Sequence, residues 1–147
     1  MTDFALPDGL EEIRDEFLAL GESERLQLLL EFSNQLPELP ERYRDHPDLF
    51  ERVAECQSPV FLFVEVGDDD AVQLFVTAPK ESPTTRGFAS ILVQGLAGLS
   101  ADEVLGVPDD FPQTIGLTRA VSPLRLRGMA ALLGRAKHQV TLKRRAA

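Results

Sequence analysis

The sequence has very little cysteine: one residue, Cys56, among 147. A single thiol cannot form an internal disulfide, which excludes the class of small disulfide-stabilised proteins. It also excludes a zinc or iron–sulfur site built from several cysteines of this chain. Because a free thiol persists in a reducing compartment, a cytoplasmic location is expected.

Long apolar runs and targeting segments are also missing. The longest apolar run, Val60–Val64, has the length of a strand, whereas a membrane-spanning helix needs roughly 20 apolar residues. The N-terminal sequence MTDFALPDGLEEIRDEF lacks the basic region and the long apolar stretch of a signal peptide. We therefore expect no contact with a membrane and no secretion.

Histidines and phosphate-binding glycine motifs are scarce as well. Only His46 and His138 could act as the base for a nucleophilic cysteine, and both are interpreted as surface histidines. The triplet Asp68–Asp70 is interpreted as a solvated turn, because the ligand spacing of a calcium loop is missing. The sequence therefore predicts neither a bound metal nor a cofactor site.

Positive charge is limited and uneven. The net charge is −9, yet residues 119–147 hold eight bases and no acid. An acidic protein is a poor general ligand for nucleic acid. The basic segment is therefore interpreted as a helix with its arginines on a solvated face, and no nucleic-acid partner is expected.

The first third of the chain is predicted to be helical. Apolar residues at helical spacing predict a helix over 10–20, ended by Gly21, and a second helix over 23–35. Several prolines make residues 36–50 a loop with at most short turns. The inner face of the second helix is expected to carry Leu26, Leu29, Leu30 and Ser33.

The middle of the chain predicts a β-hairpin. Residues 60–66 are apolar without alternation, which is typical of a strand buried on both faces, and residues 71–77 alternate. A Gly-Asp-Asp-Asp turn at 67–70 joins them. Because two strands make a marginal sheet, a third strand is expected near 50–53.

The rest of the chain is predicted to be helical again. A helix is expected over 84–99, and Ser100–Glu103 matches a capping box. Residues 108–117 are expected to be irregular. The last helix should begin with Ser122 as N-cap and Pro123 in the first helical position. Its apolar stripe is expected to comprise Leu126, Met129, Leu133, Ala136 and Val140.

This order places no crossover helix between the strands, so it favours an α+β domain. The expected architecture is a small antiparallel sheet of about three strands packed against several helices. The length suits one domain over residues 1–147, with loose termini at 1–9 and 143–147.

Cys56 stands where a charged loop meets the first strand of the hairpin. A reactive thiol needs a cation or a helix N-terminus to lower its pKa, whereas the neighbouring Glu55 disfavours the thiolate. Two interpretations stay open on position alone: a reactive thiol and a small buried hydrophobe.

Two arginines lie where the local electrostatics are unfavourable. Arg86 and Arg125 fall in the first turns of predicted helices, and a cation there opposes the helix dipole. Local conflicts of this kind often mark function. The alternative is that each is an ordinary solvated arginine.

Four segments together resemble one known family. In the family's order they are LPELP (36–40), ECQSPVF (55–61), TTRGFASIL (84–92) and VSPLRLRGMAALL (121–133). They resemble the SufE family of sulfur-acceptor proteins, which assist cysteine desulfurases in iron–sulfur cluster assembly. The resemblance implies the α+β fold shared with IscU-like scaffold proteins.

The resemblance also implies a task for individual residues. Cys56 matches the position that accepts sulfur as a persulfide, and Arg125 matches an arginine implicated in partner docking. Arg86, together with Glu55, Gln57 and Ser58 around the thiol, would support the thiolate or the partner contact.

The resemblance implies two partners. One is a SufS-like cysteine desulfurase, which holds the pyridoxal phosphate, and the other is an iron–sulfur scaffold complex of SufBCD type. The chain itself would be a monomer or weak dimer without independent turnover and without a cofactor. The alternative is a regulatory docking module that transfers no sulfur. A cysteine hydrolase would require His46 or His138 beside Cys56.

Overall fold

The computed structural model describes residues 6–146, and their side chains up to residue 144. Six helices and three strands are connected by short loops and three single 3₁₀ turns, at Pro47–Leu49, Ala54–Cys56 and Phe111–Gln113. The helices and strands in chain order are α1 Asp8–Leu18, α2 Glu22–Asn34, α3 Glu41–Arg44, β1 Glu51–Arg52, β2 Phe61–Val66, β3 Val72–Thr77, α4 Pro83–Leu96, α5 Ala101–Leu105 and α6 Pro123–Ala146.

The strands form one antiparallel sheet in the order β1-β2-β3. The predicted hairpin is β2–β3, with Phe61 opposite Thr77, and Asp70 adopts a positive φ of 67° in its turn. The third strand expected near 50–53 is β1, in which Glu51 pairs with Leu62. The α+β prediction is therefore confirmed.

The prediction that β2 is buried on both faces is wrong for one face. Leu62 and Val64 are fully buried, whereas the alternating Phe61 and Phe63 are only partly buried. Tyr43 of α3 packs edge-on against Phe63, with ring centroids 5.0 Å apart. The face that carries Phe61 and Phe63 is covered only in part, by aromatic rings. A strand with one such face can therefore lack the alternation of apolar and polar residues.

The first two helices differ in detail from their predicted limits. Helix α1 ends at Leu18, and Gly21 is the N-cap of α2 rather than the end of α1. Leu30, expected inside, is 36% exposed, and Phe32 is buried in its place. Leucine at helical spacing fits both sides of this helix, so the sequence alone did not identify the buried face.

Helix α4 lies against α1 and α2 and depends on two glycines. A Cβ at Gly87 would collide with the carbonyl oxygen of Leu29, and one at Gly95 would collide with Cδ2 of Leu10. The helix begins at Pro83, one residue before the predicted start. It ends at Leu96, before Gly98 with its positive φ of 79°, rather than at residue 99.

The predicted signals at the later helices are confirmed. Ser100 and Glu103 form both bonds of the capping box. The Ser122 hydroxyl accepts from the Arg125 backbone N–H at 3.2 Å, and Pro123 opens α6. The whole predicted stripe of α6 is buried: Leu126, Met129, Leu133, Ala136 and Val140.

Helices reach into both segments that were expected from the sequence to be loose. Residues 8–9 belong to α1, and residues 143–146 continue α6. Residues 1–5 and 147 lie outside the described residues. None of the helices between residues 6 and 146 combines the length and apolar character needed to cross a bilayer.

Candidate functional site

The candidate site is the loop of residues 54–59 between β1 and β2. The Val53 N–H donates to the Val60 carbonyl at 2.8 Å, which continues the strand pairing and closes the base of the loop. Within the loop, Ala54–Cys56 form a 3₁₀ turn, and the Cys56 N–H donates to Val53. Cys56 therefore lies on a short loop whose ends are fixed by the sheet.

The residue after Cys56 has a strained backbone. Gln57 has φ 61° and ψ −30°, and the Ser58 N–H donates to the Cys56 carbonyl at 2.6 Å. This is close to the classic γ-turn, which is rare for a residue with a side chain. The backbone of Gln57, a predicted site residue, therefore introduces strain directly beside the thiol.

Ser58 connects the loop to the start of α4. Its hydroxyl lies 2.5 Å from that of Ser82, the N-cap residue of α4. The contact joins two segments of the predicted site that are separated by 24 residues.

The thiol of Cys56 packs against the first turns of α6. Its Sγ lies 3.5 Å from the Gly128 carbonyl oxygen, to which the thiol can donate a weak hydrogen bond. A Cβ at residue 128 would lie 3.3 Å from both Cα and Sγ of Cys56. The glycine therefore allows the loop to lie against the helix, and Cys56 is half-buried there.

This position keeps the thiol protonated at rest. Burial, the largest cause, and the charge of Glu55 together raise the pKa of Cys56 to about 11, with Arg135 partly offsetting them. At pH 7.5 only about one molecule in a few thousand would hold a thiolate. The structure thus describes a protected thiol rather than a preactivated nucleophile.

Arg135 is the cation that acts on this loop, and sequence reasoning missed it. Its Nε and Nη2 donate to Oε1 of Glu55 at 3.0 and 2.7 Å, and its Nη1 donates to Glu51 at 2.6 Å. The backbone N–H of Glu55 itself and these contacts with Arg135 lower the pKa of the Glu55 carboxyl. Arg135 lies two helical turns after Gly128, a spacing that places both on one face of α6, but its partners lie 80 and 84 residues away.

The same face of α6 continues past the loop and covers the edge of β2. Because β1 has only two residues, the peptide groups of Val64 have no partner from that strand. Gln139 accepts from the Val64 N–H at 2.8 Å, and the Lys143 ammonium donates to the Val64 carbonyl. Burial lowers the pKa of Lys143 to about 8. These side chains satisfy an edge that would otherwise be open for pairing.

The two predicted arginines occupy different surroundings. Arg125 is exposed, and its Nη1 donates to the Thr84 hydroxyl at 2.7 Å, joining the first turns of α6 and α4. Arg86 donates to the carbonyls of Ser33 and Ala78 at 2.9 and 2.6 Å. Arg86 thus connects the end of α2 to the end of β3. Among the described contacts, neither arginine bonds to Cys56, and Arg135 is the cation whose charge acts to lower the pKa of that thiol.

The other sequence candidates have surface positions. His46 and His138 are exposed, and neither provides a hydrogen bond to Cys56 within the described residues. Asp69 accepts from Ala71 within the hairpin turn, and Asp70 accepts from the Ala101 N–H. Residues 6–144 contain no group of three metal-binding side chains.

The protonated thiol leads to a prediction about pH. Since only the thiolate reacts with iodoacetamide, we expect alkylation of the folded protein to accelerate about tenfold per pH unit from 7 to 10, without a plateau. The same protein unfolded in urea should level off above about pH 9. Peptide mapping of Cys56 measures both profiles. A plateau in the folded protein below pH 9 would contradict the protected position of the thiol.

Comparisons with known proteins agree on one group of relatives. The family model described as "SufE: Fe-S metabolism associated domain" matches residues 11–140. The chain is 47% identical over 136 residues to an uncharacterized SufE-like protein of Mycobacterium tuberculosis, covering 92% of this chain and 94% of that one. It is 29% identical over 129 residues to SufE-like protein 1, chloroplastic/mitochondrial, of Arabidopsis thaliana, covering 87% of this chain and 33% of that relative.

A solved structure shows the same fold. The solution structure of a hypothetical protein from Thermus thermophilus superimposes with a TM-score of 0.81 at 37% sequence identity. The match covers 94% of this chain and 97% of the other.

Proposed function

The chain belongs to the SufE family, and we propose that it is a sulfur carrier whose Cys56 accepts sulfur from a pyridoxal-phosphate-dependent cysteine desulfurase of SufS type. A role in iron–sulfur metabolism related to sulfur transfer follows from the family. The observation that carries the finer proposal is the position of Cys56. This single thiol lies within a short loop with a strained backbone at Gln57, and it packs against the carbonyl of Gly128 in α6.

The proposed step is a transfer of sulfane sulfur. The Cys56 thiolate attacks the outer sulfur of a persulfide on the cysteine of the desulfurase, as in thiol–disulfide exchange. A new S–S bond forms at Cys56, and the S–S bond of the donor breaks. The electron pair of that bond stays on the donor cysteine, which takes up the proton released from Cys56. The exchange is redox-neutral, so no oxidant is needed.

The resting geometry fits a carrier better than a hydrolytic enzyme. The raised pKa of the thiol limits its reaction with small electrophiles in solution. Docking would have to draw the loop away from Gly128 and supply the environment in which the thiol ionises. The fixed ends of the loop limit such a movement to residues 54–59, and the strain at Gln57 favours a rearrangement there.

The loaded protein would then donate its sulfur to an iron–sulfur scaffold of SufBCD type. In this proposal the chain has no turnover of its own, and the pyridoxal phosphate belongs to the desulfurase. The exchange requires a free thiol, which persists in a reducing compartment, and a cytoplasmic location is part of this proposal.

A burst experiment tests the carrier role against docking alone. A desulfurase is mixed with free cysteine, without reductant, and alanine is measured over time. The carrier proposal predicts a rapid burst of alanine whose amplitude grows in proportion to the amount of this protein added. A regulatory docking module would change the rate without setting an amplitude. An amplitude independent of the protein concentration would contradict the carrier proposal.

A further inference from the structure

Most lysines and arginines in the described part of the chain form ion pairs or bond to backbone carbonyls, but a small group does neither. Within residues 6–144, the lysines and arginines either form ion pairs, donate to backbone carbonyls, or are exposed without an ion pair. The members of the last group are Arg52, Lys80, Arg125 and Arg127.

All of these cations lie at the end of the molecule that carries Cys56. Arg52 is in β1, four residues before Cys56, and its guanidinium lies 5.9 Å from the ring centroid of Phe61. Arg127 directly precedes Gly128, whose carbonyl contacts the thiol. Arg125, in the first turn of α6, bonds to Thr84 at the start of α4. Lys80 lies two residues before Ser82, which contacts Ser58. We call these four residues the basic rim.

The acids near the basic rim do not neutralise it. Glu51 and Glu55 are both held by Arg135. Glu81 is the exposed acid beside Lys80. With Arg135 included, five cations face three anions around the thiol, in a chain whose net charge is −9. Positive charge is therefore concentrated around Cys56, the proposed sulfur acceptor.

An apolar side chain lies among the cations. Leu124, in the first turn of α6 beside Arg125, is 44% exposed. Arginine combined with an exposed leucine, and with no lysine–glutamate pairing across the patch, is the composition of a protein interface rather than of a solvated helix face.

We infer that the basic rim is a docking surface for an acidic protein surface, specifically for carboxylates surrounding the persulfide-bearing cysteine of the sulfur donor. This inference rests on the proposed function and adds the chemistry of the partner's surface. Opposite charges on the two rims would orient the thiol toward the persulfide and raise the association rate at low salt. A nucleic acid is a weaker candidate, because four cations on a chain of net charge −9 give little attraction to a polyanion.

The test compares charge reversal at the basic rim with charge reversal near the C-terminal end of α6. Arg52→Glu with Arg127→Glu reverses the basic rim. Arg144→Glu is the control for a single reversal: it changes the net charge by two units, half the change of the double variant, at a residue about 24 Å along the helix axis from Gly128. Desulfurase activity is measured as alanine formation against the concentration of each variant. Sulfur loading at saturating concentration is measured by intact mass. Circular dichroism and iodoacetamide alkylation of Cys56 show whether the fold and the thiol are unchanged.

The expected result is a concentration for half-maximal acceleration that rises roughly tenfold or more in the double variant and stays constant in Arg144→Glu. The wild-type value should itself rise with salt, and the double variant should lose most of that dependence. Full loading of wild type, with unchanged half-saturation in the double variant, would overturn the docking surface and leave the carrier function intact. Failure of wild type to load would instead overturn the proposed function. Binding of a fluorescent single-stranded oligonucleotide, lost in the double variant, would also overturn the inference.

Discussion

Cys56→Ser is expected to abolish the part of the alanine burst that grows with the amount of this protein, while leaving the fold and its stability nearly unchanged. A serine hydroxyl cannot form a persulfide, so no sulfur leaves the desulfurase by this route. The Cys56 side chain is half-buried and contacts the Gly128 carbonyl, to which a serine hydroxyl can also donate. We therefore expect the free energy of unfolding, measured in urea, to change by no more than about 1 kcal/mol.

Cys56→Ala is the control for that contact. It removes the hydrogen bond to Gly128 as well as the nucleophile, and it should lose the burst to the same extent as Cys56→Ser. A full burst with either variant would show that sulfur does not pass through this residue. If the burst is lost while stability and affinity for the desulfurase stay at the wild-type level, the thiol is needed for sulfur transfer and not for docking.

The second large effect concerns the ion pair that holds the loop. Glu55→Gln removes a charge that raises the pKa of the thiol and also weakens the contact with Arg135. Loss of the charge lowers the pKa of the thiol, and a weaker contact with Arg135 lets the loop leave Gly128. We therefore expect alkylation of Cys56 at pH 7.5 to accelerate about tenfold, which corresponds to one pKa unit.

Arg135→Gln distinguishes the positioning role of the ion pair from its electrostatic role. If Arg135 only offsets the charge of Glu55, its removal leaves Glu55 uncompensated, and alkylation slows. If Arg135 holds the loop against Gly128, its removal exposes the thiol, and alkylation accelerates because burial is the main cause of the raised pKa. We expect acceleration.

Arg119→Gln is the matched control for both variants of the ion pair. Arg119 forms its own ion pair, with Glu22 at 3.3 Å, and is 83% exposed. Its loss should leave alkylation unchanged. Slower alkylation in Arg135→Gln would contradict the positioning role, and hydrogen exchange of residues 54–58 would show whether the loop had moved.

Local signals in the sequence predicted most of the fold. The capping box at Ser100, the Ser122–Pro123 start of α6 and the alternation of β3 each depend on residues within one or two turns of one another. Errors arose where two faces of an element have similar composition. Leu30 and Phe32 both fit a helical stripe, and only the packing of α2 against α4 decides which one is buried.

The candidate site could be predicted only in part for the same reason. Cys56, Gln57 and Ser58 are adjacent in sequence, and the resemblance to a family drew attention to them. Arg135 was missed because its contacts with Glu51 and Glu55 exist only once α6 lies across the β1–β2 loop. Arg86 fitted a functional pattern, yet it bonds to backbone carbonyls that no local pattern reveals.

Only one of the two causes that raise the pKa of Cys56 could be predicted from the sequence. The adjacent Glu55 indicated a raised value, but the largest cause, burial against Gly128, comes from a residue 72 positions away. The sequence left open whether a nearby cation lowers the pKa of this thiol, and the structure shows that burial against α6 raises it.

Intact-protein mass spectrometry after incubation with a cysteine desulfurase and free cysteine would show directly whether Cys56 carries sulfur. We expect a product heavier by one or more sulfur atoms, with the added mass on the Cys56 peptide and removed by reductant. An unchanged mass, under conditions where the desulfurase itself carries a persulfide and binds this protein, would contradict the carrier role of Cys56.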